Sequence, residues 1–557
     1  MVSRLTRFLQ KEFNGLHQAA FLLAGATLLS QLLGLLRDRL LASSFGASGH
    51  LDVYYAAFRI PDLIYVSVAS FVSATVLIPL IIQKIDDEKQ ELNRFLNSII
   101  SAFMLVMIVV TGLLFIFMPR LVFLVAPGFD AESTKTLILL SRMMLLSPLL
   151  LGLSNLFGSV VQAYRQFFAF ALSPLFYNLG IIVGILWLYP LFGIAGLAMG
   201  VVLGAVCHLA IQLPPIWKTG LKPKLARINW SEVWQVVSIS LPRTLTLSAN
   251  QIALAALVAM ASLLSKGSIS VFNFAYNLQS VPLAIVGVSY SVAAFPVLAG
   301  YFSAGKIKEF TGHIVSASRH IIFWALPATI FFIVLRAQIV RIILGAGQFD
   351  WSATRLTAAC LALFVISVVA QSLVLLLVRG YYAAGRTRVP LVLNITSSLL
   401  VIVFAFGLRE AFANWPFFKY FIESLLRVSD VAGAEVLILP LAFSLGMIFN
   451  LITLAIFFER HFGDWLAGVS NTFFQSFSGS VIGGAVAYVV LDLLGRYWDL
   501  NHFWSVLGQG AIAGLAGVLV WLAILILLKS EELVELSKSL LAKTWKAQPI
   551  APEAEGL

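Results

Sequence analysis

Six charged residues lie close together within the first two apolar stretches of the chain. They are Arg37, Asp38, Arg39, Asp52, Arg59 and Asp62. A charge in the middle of a bilayer costs on the order of 3 kcal/mol, so charged residues in such stretches indicate a functional site. The planar guanidinium of arginine can pair with two phosphate oxygens at once. These residue types therefore predict a site for an anionic, phosphate-containing group.

Within this cluster we expect Arg37 and Arg59 to bind the ligand. Asp38, Asp52 and Asp62 are expected to form ion pairs that support the arginines. Arg59 comes two positions before Pro61, which interrupts helical hydrogen bonding and frees a carbonyl nearby. The alternative is that the whole cluster is a buried ion-pair network whose only task is to hold the first two helices together.

Two polar residues of the second half are further candidates for the same site. Arg243 follows Pro242 early in the seventh apolar stretch, and Asn277 lies in the eighth. We expect Arg243 to add a cation and Asn277 a neutral donor to a central cleft. For Arg243 the alternative is that its long side chain reaches the cytoplasmic surface.

The elements that position these residues are predicted to be membrane-spanning helices. Of the 557 residues, 60% are hydrophobic and 11% are charged, whereas a soluble domain carries about 25% charged residues. About fourteen apolar runs reach the roughly 20 residues that a helix needs to cross a bilayer. The predicted fold class is therefore an all-α polytopic membrane protein with about fourteen transmembrane helices.

Internal sequence matches, roughly 220 residues apart, indicate a repeat. The matching positions are Gly128-Phe129-Asp130 with Gln348-Phe349-Asp350, and Pro174 and Asn178 with Pro390 and Asn394. An even number of helices separates the copies, which predicts two six-helix lobes of the same orientation around a central cleft. The predicted boundaries are 1–225 and 226–462 for the two lobes, 463–529 for two additional transmembrane helices, and 530–557 for an amphipathic cytoplasmic tail.

The distribution of charge predicts the orientation and excludes some functions. The net charge is +11, but the basic residues lie in alternate short connectors rather than in a nucleic-acid-binding arm. This pattern predicts that both termini are cytoplasmic. No connector is long enough for a soluble catalytic domain. Metal-ligand spacings, nucleotide-binding motifs and hydrolase motifs are also missing, so we expect a transporter without a metal or cofactor rather than an enzyme.

Three motifs resemble those of the MurJ (MviN) family, and the similarity extends over nearly the whole chain. They are Leu33-Gly34-x-x-Arg37-Asp38 with Phe45-Gly46-Ala47, Asp52 and Ala57-Phe58-x-x-Pro61; Ala126-Pro127-Gly128-Phe129; and Tyr381-Tyr382 with Thr387 and Pro390. The resemblance implies the fold of the multidrug/oligosaccharidyl-lipid/polysaccharide exporters. It also implies that lipid II, an undecaprenyl-pyrophosphate-linked sugar-peptide, is transferred to the outer leaflet of the bacterial plasma membrane by alternating access.

The resemblance can be carried over to individual residues only in part. Arg37 matches a family arginine that holds the pyrophosphate, and Asp52 matches a family acidic position. Three further arginines of the family are absent, and their positions hold Gln31, Tyr65 and Asn277. We expect Arg59 and Arg243 to replace the missing positive charge.

Three other functions fit parts of the sequence. The first is export of another polyprenyl-linked glycan, which would use the same arginines. The second is a membrane-embedded glycan-transfer enzyme, for which Glu423 is one of few outer acidic candidates. The third is a scaffold for cell-wall synthesis proteins, in which the charges of the cleft would be expendable. Membrane lipids and a lipid-linked glycan are the expected partners of the favoured transporter, with cell-wall synthesis proteins as further candidates.

Overall fold

The computed structural model describes residues 16–72, 74–85, 89–164, 166–500 and 502–541, and in these ranges all regular secondary structure is helical. This confirms the predicted fold class. The chain forms two compact units, Met1–Ser270 and Val271–Leu557. The predicted lobes, 1–225 and 226–462, stay a proposal about the transport architecture.

The first unit is built from twelve helices among the described residues. They are α1 (Leu16–Phe45), α2 (Gly49–Ala57), α3 (Arg59–Ser67), α4 (Ala74–Ile85), α5 (Lys89–Val125), α6 (Ala131–Met144), α7 (Leu146–Ala163), α8 (Phe167–Val183), α9 (Tyr189–Phe192), α10 (Ile194–Ala210), α11 (Leu213–Lys218) and α12 (Trp230–Ser262). A 3₁₀ turn covers Ala69–Val72, and a π-helical turn covers Gly184–Leu188.

The second apolar stretch is broken into α2, α3 and α4, as the position of Pro61 predicts. The break falls at Phe58, and a new helix begins at Arg59. Pro61 lies in the first turn of this helix, where its missing N–H costs no helical hydrogen bond. As a result Arg59 and Asp62 both lie in the first turn of α3.

The second unit continues with twelve helices in the described part of the chain. They are α13 (Ser268–Pro282), which starts at the unit boundary, α14 (Ser289–Ser303), α15 (Ile307–Val334), α16 (Arg336–Ile343), α17 (Trp351–Val365), α18 (Val368–Ala383), α19 (Arg388–Asn414), α20 (Pro416–Leu426), α21 (Ile438–Phe462), α22 (Trp465–Tyr497), α23 (Phe503–Leu527) and α24 (Glu531–Leu541). A π-helical turn at Leu283–Val288 joins α13 to α14.

Membrane-spanning potential is widespread among the described helices. Eleven helical stretches, some of them made of two successive helices, are long and apolar enough to cross a bilayer, and α17 with α18, bent by 40°, add a twelfth if they form one span. Neither α1 nor the broken segment α2–α4 is included in this number. The predicted number of about fourteen spans is compatible with these observations.

The sequence repeat corresponds to repeated local structure. Asp130 accepts a hydrogen bond from the backbone amide of Ser133 at 2.8 Å, and Asp350 accepts one from that of Ala353 at 2.7 Å. Each aspartate thereby satisfies an amide that the start of a helix leaves without an acceptor. The same capping device starts α6 in one unit and α17 in the other.

A second repeated device lies inside α8 and α19. The side-chain amide of Asn178 donates to the carbonyl of Pro174 at 3.2 Å, and that of Asn394 donates to the carbonyl of Pro390 at 2.7 Å. The Pro-x-x-x-Asn spacing therefore places equivalent side-chain-to-backbone bonds in the two units.

Helix α12, which the predicted boundaries assign to the second lobe, packs against α3, α4 and α5 of the first unit. The two additional helices α22 and α23 pack on each other, and α22 also packs along α15 in the second unit. Phe323 of α15 forms a small core cluster there with Trp521 and Leu525 of α23.

The predicted amphipathic tail begins with α24, and Trp545 further along this tail lies outside the described residues. Glu532 is buried and accepts hydrogen bonds from Arg319 at 2.7 Å and from Thr472 at 2.5 Å. Burial raises the pKa of Glu532, but hydrogen bonds from Thr472, Ser530 and Arg319 outweigh this effect and lower it. The carboxylate therefore ties α24 to α15 and α22.

Candidate functional site

The side chain of Arg37 on α1 is held by two neighbours. Its Nε and Nη2 donate to Oδ1 of Asp38 at 3.0 and 2.8 Å, and its Nη1 donates to Oδ1 of Asn178 at 3.2 Å. The side chain of Arg37 is 22% exposed, whereas that of Asp38 is 4% exposed. The pair therefore has one buried partner and one partner that still reaches open space.

Sequence neighbours on a helix do not face each other, so the long stem of Arg37 must bend back to reach Asp38. A buried carboxylate requires a compensating charge, and removing one partner of such a pair leaves the other uncompensated. Asn178 lies on a second helix, α8, and its side-chain amide also donates a hydrogen bond to the hydroxyl of Ser30 on α1 at 3.3 Å. The three bonds thus fix the guanidinium between α1 and α8.

Asn178 is a functional candidate that the sequence reasoning missed, since it was noted only as a repeat position. The signal that pointed to it was a lone amide side chain within the apolar α8. Aromatic hydroxyl groups were missed as well. Tyr54 and Tyr55 of α2 and Tyr177 of α8 all interact electrostatically with Arg37. They place polar oxygens around the guanidinium without adding a charge at neutral pH.

Arg59 and Asp62 extend the same cluster along α3. Arg59 is 9% exposed, and its charge acts on both Asp62 and Tyr55. Tyr177 is influenced by Asp62 and by Arg37. The structure therefore brings Arg37, Arg59 and Asp62 together in one part of the first unit, as the sequence predicts.

Asp52 has a different position from the predicted one. Its carboxylate accepts hydrogen bonds from the amide of Gly267 at 2.6 Å and from the amide and hydroxyl of Ser270 at 2.8 and 2.6 Å. Among the described residues it contacts no arginine. The physical reason is that the first amides of α13 lack helical acceptors and attract an anion.

The loop before α13 is shaped for this contact. Gly267 has φ +93°, in the left-handed region that favours glycine. A Cβ atom at this position would lie 2.4 Å from the carbonyl oxygen of Ala47. Asp52 therefore meets a backbone that only glycine allows to come so close, and the contact ties α2 to the start of α13.

The two remaining predicted residues lie on α12 and α13. Arg243 is exposed on α12. Asn277 is half-buried on α13 in the second unit, and its backbone carbonyl accepts a hydrogen bond from the hydroxyl of Ser280 at 2.6 Å. Their part in the site stays a prediction. Glu423, the residue singled out for an enzymatic alternative, is buried in α20.

Residues 41–508 match the family model described as lipid II flippase MurJ. The chain belongs to this family. A probable lipid II flippase MurJ of Buchnera aphidicola subsp. Acyrthosiphon pisum is 28% identical over 381 residues, which cover 67% of this chain and 74% of the relative.

Solved structures show the same fold. Lipid II flippase MurJ in an inward closed conformation is similar with a TM-score of 0.73 at 22% identity, covering 91% of this chain and 99% of the other. An inward-facing multidrug resistance MATE family transporter of the MOP superfamily gives a TM-score of 0.62 at 14% identity, covering 80% and 94%. The predicted family, and with it a transporter rather than an enzyme, is confirmed by the family match.

The contacts of Asp52 can be tested by hydrogen–deuterium exchange. In Asp52→Ala the amides of Gly267 and Ser270 lose their acceptors, at a cost of about 1–3 kcal/mol. We therefore expect exchange in a peptide covering these amides to become about 5-fold to 150-fold faster. Asp52→Asn keeps one acceptor oxygen and should fall between wild type and Asp52→Ala.

The control is Asn229→Ala, which removes the cap at the start of α12, at the opposite end of this helix from the loop that holds Gly267. It should accelerate exchange at Ser231 and leave Gly267 and Ser270 unchanged. Unaltered exchange at both of these amides in a folded Asp52→Ala protein would contradict the assigned hydrogen bonds.

Proposed function

We propose that this protein moves lipid II from the inner to the outer leaflet of the bacterial plasma membrane. The substrate is the one that the names of the family and of its relatives state. The observation that carries the proposal is the guanidinium of Arg37, which Asp38 and Asn178 hold in a defined orientation among apolar helices. This group has the charge and the geometry to receive a pyrophosphate.

The hydrogen bonds of Arg37 leave donors for a ligand. A guanidinium has five N–H groups, and the contacts with Asp38 and Asn178 use one on each nitrogen. One N–H then remains on each terminal nitrogen, which is the arrangement that binds two phosphate oxygens together. Asp38 also stabilises the positive charge between transport events, when no anion is bound.

Arg59, Arg243 and Asn277 are proposed as further contacts for the headgroup. Support is strongest for Arg59, because its charge acts on Asp62 and on Tyr55, and Tyr55 also interacts with Arg37. Arg243 would add a second cation on α12, and Asn277 a neutral donor on α13. Asp38 would hold Arg37 by their ion pair, Asp62 would stabilise the charge of Arg59 through its electric field, and Asp52 would hold the start of α13.

Alternating access is the proposed mechanism. The headgroup enters from the cytoplasmic side, pairs with Arg37, and leaves outward while the lipid tail stays in the bilayer. Repeated halves of this kind commonly rock around a central substrate site. The break at Phe58 and the π-helical turns at Gly184–Leu188 and Leu283–Val288 are candidate points of bending, since such irregularities often lie at functional sites. An ion gradient, the membrane potential or consumption of the product would drive transfer.

A second candidate substrate is another polyprenyl-linked glycan. The observation that favours this candidate is the side chain of Tyr65. Tyr65 stands where the resemblance implies an arginine, and its hydroxyl accepts a hydrogen bond from Asn155 at 2.9 Å. This neutral contact cannot replace a positive charge. The site would then recognise the pyrophosphate common to such lipids and discriminate less strongly between their sugar portions.

Both termini are proposed to be cytoplasmic, on the strength of the basic connectors. A green fluorescent protein fused after Leu557 should fluoresce, and alkaline phosphatase at the same position should be inactive. The reverse pattern would place the carboxyl terminus outside. Cell-wall synthesis proteins stay proposed partners, to be sought by cross-linking in cells.

The function can be tested in a bacterium whose own lipid II flippase is depleted. The wild-type gene should restore growth, and Arg37→Ala should fail although its membrane level is normal. Loss of a hydrogen-bonded charge pair of about 1.5–3 kcal/mol corresponds to roughly 10-fold to 150-fold weaker headgroup binding.

The control is Arg496→Ala, because Arg496 is 70% exposed and, among the described residues, pairs with Asp492 one helical turn away; exposed pairs of this kind contribute little. It should support growth like the wild type. Growth sustained equally by Arg37→Ala would refute a role of the guanidinium in transfer, and failure of a well-expressed wild-type protein would favour the other polyprenyl-linked glycan.

A further inference from the structure

A cavity of about 270 Å³ lies within the first unit, between α3, α6, α7, α8 and α10, and its wall is more apolar than polar. The polar residues of the wall are Asp62, Tyr65, Ser147, Tyr177 and His208. The volume is sufficient for several water molecules or for one hydrated ion. We call it the Asp62 cavity.

Asp62 differs from the other two acidic residues of the cluster. Asp38 is paired with Arg37, and Asp52 accepts three hydrogen bonds. Within the described ranges no hydrogen bond or ion pair reaches the carboxyl group of Asp62, and Arg59 acts on it only through its electric field. A carboxylate in such surroundings is costly unless a positive charge reaches it.

Several other residues of the wall carry oxygens that suit a hard cation. The hydroxyl of Tyr177 is hydrogen-bonded to Ser147. Pro148 removes the amide that would otherwise pair with the carbonyl of Met144, and both of these residues line the cavity. Carboxylate, carbonyl, hydroxyl and water oxygens are the ligands preferred by hard cations. A site with a single carboxylate matches a single positive charge.

We propose that the Asp62 cavity binds one positive charge at Asp62, carried by a proton or by a hydrated sodium ion. His208 is the second titratable group of the wall, and its Nδ1 lies 2.8 Å from the hydroxyl of Ser154. Gln212 donates to the same hydroxyl at 2.7 Å. These contacts hold the imidazole of His208 at the wall of the cavity. Of the two titratable groups, only the carboxyl group of Asp62 can bind both a proton and a sodium ion.

The other charged and titratable groups around Asp62 are few. α3 contributes Arg59 and Tyr65, and α8 contributes Tyr177, which also interacts electrostatically with Arg37 of the Arg37–Asp38 pair on α1. Of the helices packed on α3, α2 contributes Tyr55, α7 has no charged residue, and α12 contributes the exposed Arg243. Arg142 of α6 donates to the carbonyl of Phe115 instead.

The net charge of the residues around Arg37 and Asp62 explains how the cation would act in transport. This step rests on the proposed function. Arg37 and Arg59 contribute two positive charges, and Asp38 and Asp62 two negative charges, so the cluster is neutral. A cation at Asp62 raises its charge to one positive. The cation and the anionic headgroup would then strengthen each other's binding, and by linkage the coupling is reciprocal.

The experiment uses dicyclohexylcarbodiimide, an apolar reagent that reacts with protonated carboxyl groups in apolar surroundings. Purified full-length protein, without any lipid II, is labelled at several pH values, and the labelled residues are located by mass spectrometry. Parallel samples at constant pH contain sodium chloride or the same concentration of potassium chloride. Asp38, which is paired with Arg37, serves as a buried carboxyl control in the same molecule, and Asp62→Asn gives the background.

We expect labelling at Asp62, with Asp38 close to background. A decline of at least about tenfold between about pH 5 and about pH 9, unaffected by sodium, assigns the charge to a proton. A comparable decline with sodium but not with potassium at constant pH assigns it to sodium. Absence of labelling at Asp62, or labelling that neither pH nor sodium changes, would overturn the proposal. Because no lipid-linked substrate is present, this result is independent of growth complementation.

Discussion

A charge enclosed by apolar helices must be matched by an opposite charge or by polar groups, and the contact between Arg37 and Asp38 satisfies this requirement in the first unit. Asp38 is almost fully buried, so its carboxylate holds the guanidinium in place. Asn178 fixes the same group from α8. Because these partners use only part of the donor set of Arg37, the charge is stabilised in the protein interior and is still able to bind an anion.

The breaks in the helices around this contact help to meet the same requirement for polar partners. A continuous helix through residues 49–85 would pair all its amides and present its polar side chains at regular helical intervals. The restart at Arg59 instead brings Arg59 and Asp62 into one first turn. Similarly, the carboxylate of Asp52 accepts hydrogen bonds from backbone amides at the start of α13, where the helix leaves these donors without acceptors of its own. Broken helices thus supply the polar groups that an apolar bundle otherwise lacks.

Local features could be predicted from the sequence, whereas contacts between distant segments could not. Helix content follows from apolar run length, the break before α3 follows from Pro61, and the equivalent caps of Asp130 and Asp350 follow from the repeat. The pairing of Arg37 with Asn178 crosses 141 positions, and that of Asp52 with Ser270 crosses 218. A single sequence contains no distance information for such pairs, and Asp52 was therefore assigned to the nearest arginines instead of to a backbone.

The central claim is that Arg37 binds the pyrophosphate of a lipid-linked substrate. The most direct measurement is the affinity of the purified protein for undecaprenyl pyrophosphate in detergent micelles, determined by calorimetry for wild type and Arg37→Ala. Loss of a charge-assisted hydrogen-bonded contact predicts an affinity at least about tenfold weaker in the variant. Equal affinities, in a variant whose thermal unfolding matches the wild type, would contradict the account.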